Sequence, residues 1–424
     1  MDINKRSNGK NSTMTGETNG NHVTIPKWIE AKLFEKLLEE NIENYKSIKE
    51  FTVKPGIAAG ENYATILLKV EIEIELKDLT TKCVSFMLKV NHDNEQLREM
   101  MKGHDVFDIE KSMYDELVPA FEKLYADVGI NINFGAKSFS LPTKEEYILL
   151  ENLCVRGFKN AKRLEGLDMK HTKCVLKKLA QWHAASAKLV EVNGSFEEKF
   201  LQGYFHEEGK DQMKTIFEGM GQIFISYAKN YNNYNEYADD IVTQKMVDEL
   251  FKVAKPNQNE FNVLNHGDCW SNNVMFQYNA SGEIEETYLI DYQMIKYGTP
   301  AQDLFYFLLS STKYEIKLKQ FDYFIKFYHD NLIENLKLLR YNKKIPSLKE
   351  LHGMMFKYGV WGYTTLTGVM GAVLLDPTNT ANLENFVGDS DAGLAFKKLM
   401  SSNDRYRRHA EAMLPWLKNR AVFC

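Results

Sequence analysis

The most informative segment of the chain reads HGDCWSNNVMFQYNASGEIEETYLIDYQ and spans residues 266–293. Two short apolar runs, NVMFQ and TYLID, flank a turn rich in Asn, Ser and Gly, which predicts an antiparallel hairpin. Asn273 begins the first strand and Asp291 ends the second, so their side chains are expected side by side at one end of the hairpin. Asp268 lies in the loop that enters the same end. The segment is therefore expected to gather two carboxylates and one carboxamide.

These three side chains offer hard oxygen atoms, which suit Mg²⁺ shared with phosphate groups. They do not suit zinc, which prefers His and Cys. We interpret Asn273 and Asp291 as metal ligands and Asp268 as a base. Taken alone, Asp268 and Asn273 could also be a turn residue and a strand cap, since Asp and Asn favour such positions. The metal interpretation therefore depends on what else the chain supplies.

Length and charge limit the class of protein. The chain has 424 residues, 44% of them hydrophobic, which is too long for one small domain, so two lobes or domains are expected. The formal net charge is -5, whereas a general nucleic-acid binder would usually be basic, so no nucleic-acid partner is expected. An anionic cosubstrate would need local cations or a metal ion.

Cysteine usage and two segments of unusual composition indicate in which cellular compartment the protein is expected. The five cysteines show no CxxC or finger-like spacing, which predicts neither a disulfide framework nor a zinc site and favours a reducing, cytoplasmic setting. Residues 1–23 are polar and lack the apolar core of a signal peptide, so a disordered tail is expected. Residues 358–375 carry no charge, but their threonines and glycines favour a buried helix, so no membrane insertion is expected.

The order of patterns predicts an α+β protein with a small β-rich lobe and a large helical lobe. A helix is expected at 26–42, with Pro near its first turn. The run YATILLKVEIEIEL at 63–76 alternates apolar and mostly charged residues, which is typical of a strand, and CVSFMLKV at 83–90 is the returning strand. Residues 105–125 then show helical spacing. These patterns belong to one N-terminal lobe.

The second lobe is expected to follow a connector near 150–157. From about residue 165 onward the chain has mainly helical patterns, interrupted only around 262–292. We therefore divide the chain into an N-terminal lobe at 24–154 and a C-terminal lobe at 155–424.

The motif HGDxxxxN, followed by a hairpin that ends in Asp, is similar to the catalytic and metal loops of the choline and aminoglycoside kinase group, relatives of the protein kinases. The chain resembles more closely the ecdysteroid kinase-like (CHK kinase-like) family of arthropods, from about residue 26 to the C-terminus. The phrases that carry this resemblance are GENYAT at 60–65, LKV at 88–90, VFDIEKSMY at 106–114, LLENL at 149–153, LAQWHAAS at 179–186, TPAQDLFYFLLSS at 299–311 and LPWLKNRAVF at 414–423. Their shared order makes coincidence improbable. The resemblance implies a protein-kinase-like two-lobe fold that uses ATP and Mg²⁺. The lobe at 24–154 would then bind the nucleotide, and the lobe at 155–424 would hold the catalytic loop, the metal site and the acceptor pocket.

The resemblance also implies roles for five side chains. Lys89 would hold the α- and β-phosphates, and Glu110 would keep it in position, because a flexible ammonium needs an anion to fix it. Asp268 would orient and deprotonate the acceptor hydroxyl, while Asn273 and Asp291 would hold Mg²⁺. Without a partner, Lys89 and Glu110 would be read more simply as solvated charges on a strand and a helix. Their assignment therefore depends on their pairing.

Further implied roles concern the connector and the loop support. The backbone around Glu151 and Leu153, in LLENL, would contact adenine. Asp303 would brace the catalytic loop by holding backbone N–H groups near His266 and Gly267. His266 would be a second brace rather than a proton carrier.

The expected phosphate loop departs from the usual pattern. PGIAAGENYAT contains no full GxGxxG motif, yet a looser loop can still present backbone N–H groups to phosphates. Gly60, Asn62 and the backbone as far as Tyr63 are the expected contact region. Two other polar residues receive no chemical role: His183 lies on an apolar helix face and is more often a core histidine, and Cys269 has no apparent partner base.

The expected reaction is direct transfer of the ATP γ-phosphoryl group to a hydroxyl of a small molecule. The resemblance implies an ecdysteroid or another hydroxylated apolar acceptor. One alternative is a choline-like amino alcohol, which would need an aromatic or acidic pocket. An alternative of another class is a nucleotide-binding pseudokinase that acts as a sensor or scaffold. A protein substrate is disfavoured because no APE-type phrase occurs between Asp291 and Asp303.

Overall fold

The computed structural model of the protein describes residues 25–56, 65–91, 105–232 and 234–423. The N-terminal part forms one antiparallel five-stranded sheet in the order β1-β2-β3-β5-β4. Its elements are α1 Glu35–Asn41, β1 Tyr45–Pro55, β2 Ile66–Leu76, β3 Thr81–Val90, α2 Val106–Ser112, α3 Val118–Ala126, β4 Ser138–Phe139 and β5 Tyr147–Glu151.

The C-terminal part is mainly helical and contains two small two-stranded sheets, β6 with β9 and β7 with β8. Its elements are α4 Met169–Asn193, α5 Glu198–Gln202, α6 Lys210–Ala228, α7 Thr243–Val253, β6 Val263–Asn265, β7 Val274–Tyr278, β8 Ile284–Leu289, β9 Lys296–Gly298, α8 Ala301–Ser311, α9 Tyr314–Lys317, α10 Phe321–Leu338, α11 Leu348–Lys357, α12 Val360–Thr367, α13 Val369–Val373, α14 Leu383–Val387, α15 Asp391–Ser402 and α16 Asp404–Asn419. This arrangement confirms the predicted α+β class and the kinase-like order of a sheet followed by helices.

The alternation in the second strand determines how the sheet packs. Leu68, Val70, Ile72 and Ile74 of β2 are each at most 1% exposed and belong to a small hydrophobic cluster with α1. On β3, Leu88 and Val90 join the same cluster. Successive side chains of a strand point to opposite faces, so Lys89 is directed to the other side of the sheet, toward α2.

The helical stretch after the sheet contains an irregular turn. α2 and α3 are joined by a π-helical turn, Met113–Leu117, and Pro119 lies in the first turn of α3. Since proline has no N–H group, it cannot continue the regular hydrogen-bond ladder at this point. Phe107 and Phe121 of these helices pack in the large hydrophobic cluster of the C-terminal part.

The proposed lobe boundary near residue 154 stays a prediction.

The uncharged segment 358–375 is buried, but it is not one helix. α12 and α13 meet at Gly368, where an added Cβ would lie 2.9 Å from the carbonyl oxygen of Thr364. Trp361, Leu366 and Met370 of this segment are at most 4% exposed. Within the described ranges, no helix combines the length and the apolar character that a membrane crossing requires.

The first predicted helix begins later than the sequence pattern indicated. The expected range was 26–42, whereas the structure has a 3-10 turn at Ala31–Phe34 followed by α1. β1, at Tyr45–Pro55, was not predicted at all. It forms the edge of the sheet and pairs antiparallel with β2.

Candidate active site

The hairpin of β7 and β8 brings Asn273 and Asp291 to one end of the pair. Val274 lies opposite Leu289 in an antiparallel register, and the N–H of Ile290 donates to the carbonyl of Asn273 over 3.0 Å. Asn273 ends the 3-10 turn Ser271–Asn273 directly before β7. Asp291 follows Ile290, so both side chains lie just beyond the strand ends, and both strands are shorter there than the pattern indicated.

The backbone around these residues is unusual at two positions. Asp291 has a φ of 70°, a left-handed conformation that non-glycine residues rarely adopt and that costs about 1–3 kcal/mol. Gly267 has a φ of 79°, and an added Cβ would lie 1.9 Å from the carbonyl oxygen of Met294. Such conformations occur preferentially at functional sites. Gly267 is required both by the backbone conformation and by the close approach.

Lys89 lies between two carboxylates. Its Nζ donates to Glu110 Oε1 and Oε2 over 2.7 and 2.8 Å, and to Asp291 Oδ1 over 3.0 Å. Lys89 is 7% exposed and Glu110 only 1%, so this cluster is shielded from bulk water. Lys89 of β3 and Glu110 of α2 are thereby connected to Asp291, which follows the β7–β8 hairpin.

Burial disfavours the charged forms of the side chains in this cluster. Burial alone would lower the pKa of the Lys89 ammonium, but the attraction of Asp291 and Glu110 outweighs burial and raises it. Burial raises the pKa of Glu110, and the Lys89 ammonium counteracts that rise. An ammonium with two carboxylate neighbours stays charged at neutral pH. Lys89 is thus a fixed positive charge in the wall of the cleft.

Asp268 accepts side-chain hydrogen bonds on both of its carboxylate oxygens, and Trp270 contributes a further one. The Asn273 amide Nδ2 donates to Asp268 Oδ2 over 2.8 Å and to the Asp268 carbonyl over 2.9 Å. The Tyr306 hydroxyl donates to Asp268 Oδ1. Burial and the nearby negative charge of Asp291 raise the pKa of Asp268 to about 7, against the opposing effect of these hydrogen bonds. A carboxylate with a pKa near the working pH is suited to act as a general base.

Tyr306 is the site residue that the sequence analysis did not identify. It lies on α8, three residues after Asp303, in the phrase AQDLFYF. The available signal was the helical spacing, because residues three apart in a helix share one face. Any helix residue that follows Asp303 at this distance faces the same loop that Asp303 faces.

Asp303 contacts the backbone of the catalytic loop. The N–H groups of His266 and Gly267 donate to its two carboxylate oxygens over 2.7 and 2.9 Å. His183 also contacts Asp303, with 3.1 Å between Nε2 and Oδ2. His266 Nε2 donates to the carbonyl of Ile290 over 3.1 Å, and burial lowers the pKa of His266, which keeps the ring neutral. These residues connect the loop to α8, to α4 and to the hairpin.

One cavity of about 1010 Å³ is lined by six of the predicted site residues, namely Lys89, Glu151, Leu153, Asp268, Asn273 and Asp291. Near the sheet it is lined by Met87, Lys89, Glu151 and Leu153, and it continues past Asp268. Glu151 ends β5, and Leu153 begins the 3-10 turn that follows. The connector therefore borders the cavity beside Lys89. Gly60 and Asn62 of the expected phosphate loop lie outside the described residues.

The far part of this cavity has mostly apolar walls. It is lined from α6, from α12 and α13, and from the α14 region, by side chains that include Met213, Ile216, Phe217, Met220, Trp361, Val369, Leu383, Phe386 and Val387. Ligand pockets of drug-sized molecules measure about 300–1,000 Å³. The whole cavity is therefore large enough for two small molecules beside Asp268.

The residues at the hairpin end fit a shared magnesium ion. Asn273 uses its amide N–H toward Asp268, and its carbonyl oxygen and the Asp291 carboxylate are the hard donors that Mg²⁺ prefers. In the part of the chain that the structure describes, no three His, Cys, Asp or Glu side chains form a metal-binding group. Two protein ligands agree with the habit of Mg²⁺ to keep waters and substrate phosphates as its other ligands.

The chain combines an antiparallel sheet, a larger helical part and a cavity lined by both, which is the arrangement of the protein-kinase-like fold. The family model described as the ecdysteroid kinase-like family matches residues 59–341, more than half of the chain. The chain belongs to this family, which confirms the resemblance seen in the sequence. It is also similar to a 4-hydroxytryptamine kinase of Psilocybe cyanescens, with 30% identity over 96 residues. That match covers 22% of this chain and 24% of the fungal protein.

Proposed function

We propose that the protein is a small-molecule kinase that transfers the γ-phosphoryl group of Mg-ATP to a hydroxyl group of an apolar acceptor. The observation that carries the proposal is the continuous cavity, in which Lys89 and the connector line one part, apolar helices line the other, and Asp268 lies between. Family membership supports the same reaction class. The name of the fungal relative, a kinase of a hydroxylated small molecule, supports it further.

Each residue of the site would have its own role in the reaction. Lys89 would donate to phosphate oxygens while Glu110 keeps its ammonium in place. Asp268 would accept a hydrogen bond from the acceptor hydroxyl and take its proton. Asn273 and Asp291 would hold Mg²⁺, which would neutralise charge on the phosphate oxygens, while ATP would supply the phosphoryl group and leave as ADP. Glu151 and Leu153 would contact adenine through their backbone.

Direct transfer without a covalent enzyme intermediate fits the residues around Asp268. Cys269 is fully buried, and burial and the carboxylates of Asp303 and Asp268 raise its thiol pKa well above the usual value. A buried thiol with a raised pKa is a poor nucleophile at neutral pH. Asp268 is thus better placed to activate a bound hydroxyl than Cys269 is to attack phosphorus.

For the acceptor, we propose an ecdysteroid or a similarly hydroxylated apolar compound. The apolar walls of the far cavity would bury such a body. The carbonyls at the end of α13 accept hydrogen bonds from two arginines. Arg163 donates to the carbonyls of Ala372 and Leu375 over 3.0 and 2.8 Å, and Arg405 donates to that of Leu374 over 2.7 Å. These carbonyls therefore already have hydrogen-bond donors and need none from the acceptor.

A second candidate is an acceptor that carries an amine, such as choline or a hydroxylated aromatic amine. The aromatic rings of Phe217, Trp270 and Trp361 line the cavity, and aromatic faces bind cations favourably. The fungal relative is named for an amine that carries a hydroxyl group. The two candidates differ in whether a positive charge on the acceptor is required.

A product screen tests the proposal. The protein would be incubated with Mg-ATP and a panel of an ecdysteroid, 4-hydroxytryptamine and choline, followed by an extract of polar and steroid metabolites, and phosphorylated products would be detected by mass spectrometry. Asp268→Asn serves as the matched control, which should form product about 10²–10⁴-fold more slowly. Turnover of choline alone would reject the apolar acceptor.

The same screen addresses the pseudokinase alternative. Binding of Mg-ATP without a phosphorylated product from any acceptor would favour a sensor or scaffold over an enzyme. The presence of Asp268, Asn273 and Asp291 together argues against that alternative, because a protein that only binds nucleotide does not need a base.

We also propose a cytoplasmic location. Cys83, Cys154, Cys174 and Cys269 are free thiols, as is usual in a reducing compartment. Imaging of the tagged protein would test this part of the proposal.

A further inference from the structure

One helix contacts the catalytic loop at successive points. On α8, Asp303 accepts from the N–H groups of His266 and Gly267. Farther along the same helix, the Ser311 hydroxyl accepts from the N–H of Ser271 over 2.9 Å. Both contacts fix the backbone of the loop, and neither of them reaches the Asp268 side chain.

Tyr306 lies between these two contacts and reaches the side chain itself. Its hydroxyl donates to Asp268 Oδ1, while Asn273 Nδ2 donates to Oδ2. Two donors on opposite oxygens fix the plane of a carboxylate, because rotation about the Cβ–Cγ bond would break both hydrogen bonds. Burial and the Asp268 charge raise the pKa of Tyr306 well above its usual range, so its hydroxyl remains a donor.

We propose that Tyr306 is a positioning residue of the kinase reaction, which holds the Asp268 carboxylate in the orientation that receives the acceptor proton. This inference rests on the proposed function and goes beyond it. Tyr306 and Asp268 line the same cavity, so the orientation set by this hydrogen bond determines where a hydroxyl can approach. A base that is misplaced by about 1 Å can lose a factor of about 10² in rate.

The contact can be tested without any acceptor. Unfolding by denaturant would be measured for the wild type, Tyr306→Phe, Asp268→Ala and the double variant. A hydrogen bond to a charged group predicts a coupling on the order of tenfold or more in the unfolding equilibrium constant. Tyr406→Phe is the control, since its buried hydroxyl donates to the carbonyl of Leu366 over 2.8 Å and should show no coupling to Asp268. Additive effects of Tyr306 and Asp268 would overturn the inference.

The positioning role is tested by kinetics with an acceptor from the product screen. Tyr306→Phe should lower kcat by about 10–100-fold and leave the KM for ATP unchanged. In the Asp268→Ala background the same change should have less than about a twofold effect, because no carboxylate is left to orient. Tyr406→Phe should leave kcat unchanged.

Two results would overturn the positioning role. An equal loss of kcat in both backgrounds would show that Tyr306 does not act through Asp268. A raised KM for the acceptor with unchanged kcat would show that the hydroxyl binds the acceptor instead. If the wild type phosphorylates no acceptor, the proposed function fails, while the unfolding measurements still decide whether the Tyr306–Asp268 contact exists.

Discussion

At the scale of single residues, the chemistry of the cleft depends on how buried charges are balanced. Lys89 is balanced by Glu110 and Asp291, and Asp268 is held by Asn273 and Tyr306. Removing one partner of a buried charge typically costs about 3–5 kcal/mol. Each side chain therefore depends on its neighbours for its ionisation state as well as its position.

Asp268→Asn is expected to separate chemistry from binding. The amide keeps the shape of the side chain but cannot take a proton, so turnover should fall by about 10²–10⁴-fold. Affinity for Mg-ATP should stay within a few-fold of the wild type. Steady-state kinetics and calorimetric titration would measure the two effects.

The matched control for this variant is Asp248→Asn. Asp248 lies on α7, and its side chain is 53% exposed and paired with Lys214. Both turnover and nucleotide affinity should be unchanged in this control. Parallel loss of both properties in Asp268→Asn would contradict the assignment of Asp268 as a base.

Lys317 predicts a pH dependence of stability away from the active site. Burial lowers the pKa of this lysine from 10.5 to about 7, and the residue is 1% exposed. Between about pH 7 and pH 10.5 the unfolded chain binds a proton that the folded protein does not. The stability contributed by this group therefore rises with pH. Below about pH 7 the buried charge is at its most destabilising.

Lys317→Met should therefore stabilise the protein most at and below about pH 7. The advantage of the variant over the wild type should shrink by about 3–4 kcal/mol in free energy of unfolding as the pH rises toward 10. Denaturant unfolding at several pH values would measure this difference. A difference that does not change with pH would show that Lys317 has no lowered pKa.

At the scale of elements, the catalytic loop and its neighbours leave no space for one additional carbon atom. Gly267→Ala would place Cβ 1.9 Å from the Met294 carbonyl at a φ of 79°. The variant should lose more than about 2 kcal/mol in stability and most activity. Gly353→Ala on α11 is the control, since no atom lies within 4 Å of its added Cβ. That control should be neutral or slightly stabilising in thermal unfolding.

The regular alternation of β2 made the sheet predictable, whereas β1 escaped prediction for a physical reason. Register shifts occur between Tyr45 and Ser47 and between Ile48 and Glu50. Each bulge inserts a residue and reverses the face that later side chains occupy. The apolar residues of β1 therefore do not recur at every second position. The break at Gly368 was also missed, because an uncharged run shows no period that would locate a helix end.

For the site, the sequence motif was enough to name Asp268, Asn273 and Asp291, because all three belong to one loop and hairpin. Their catalytic and metal roles stay predictions. The ion pair of Lys89 with Asp291 spans about half the chain and leaves no local pattern. Helical spacing places Tyr306 on the same face as Asp303, but it does not show that the Tyr306 hydroxyl reaches Asp268 on another element. Contacts made only by tertiary folding cannot be derived from spacing.

At the scale of the whole molecule, nucleotide and metal are expected to stabilise the fold together. A ligand present at 100 times its Kd stabilises a protein by about 2.7 kcal/mol. If Asp291 is a metal ligand, ATP should raise Tm more with Mg²⁺ than with EDTA, and Asp291→Ala should abolish this additional increase. Thermal unfolding under both conditions would measure it.

Asp330→Ala is the control for this measurement. Asp330 lies on α10, where it is 56% exposed and paired with Lys326, and its variant should keep the full magnesium effect. A magnesium-dependent increase that survives in Asp291→Ala would contradict the ligand assignment.

The continuity of the cavity has a consequence for inhibitor design. A compound that joins an adenine-like ring to an apolar body through a linker could occupy both parts of the cavity at once. Linking the two halves converts the second binding event into an intramolecular one, which can increase affinity by about 10²–10⁴-fold over either half. Such a bisubstrate inhibitor would discriminate against kinases that have only a nucleotide pocket, and the linker length that binds best would measure the separation of the two sites in solution.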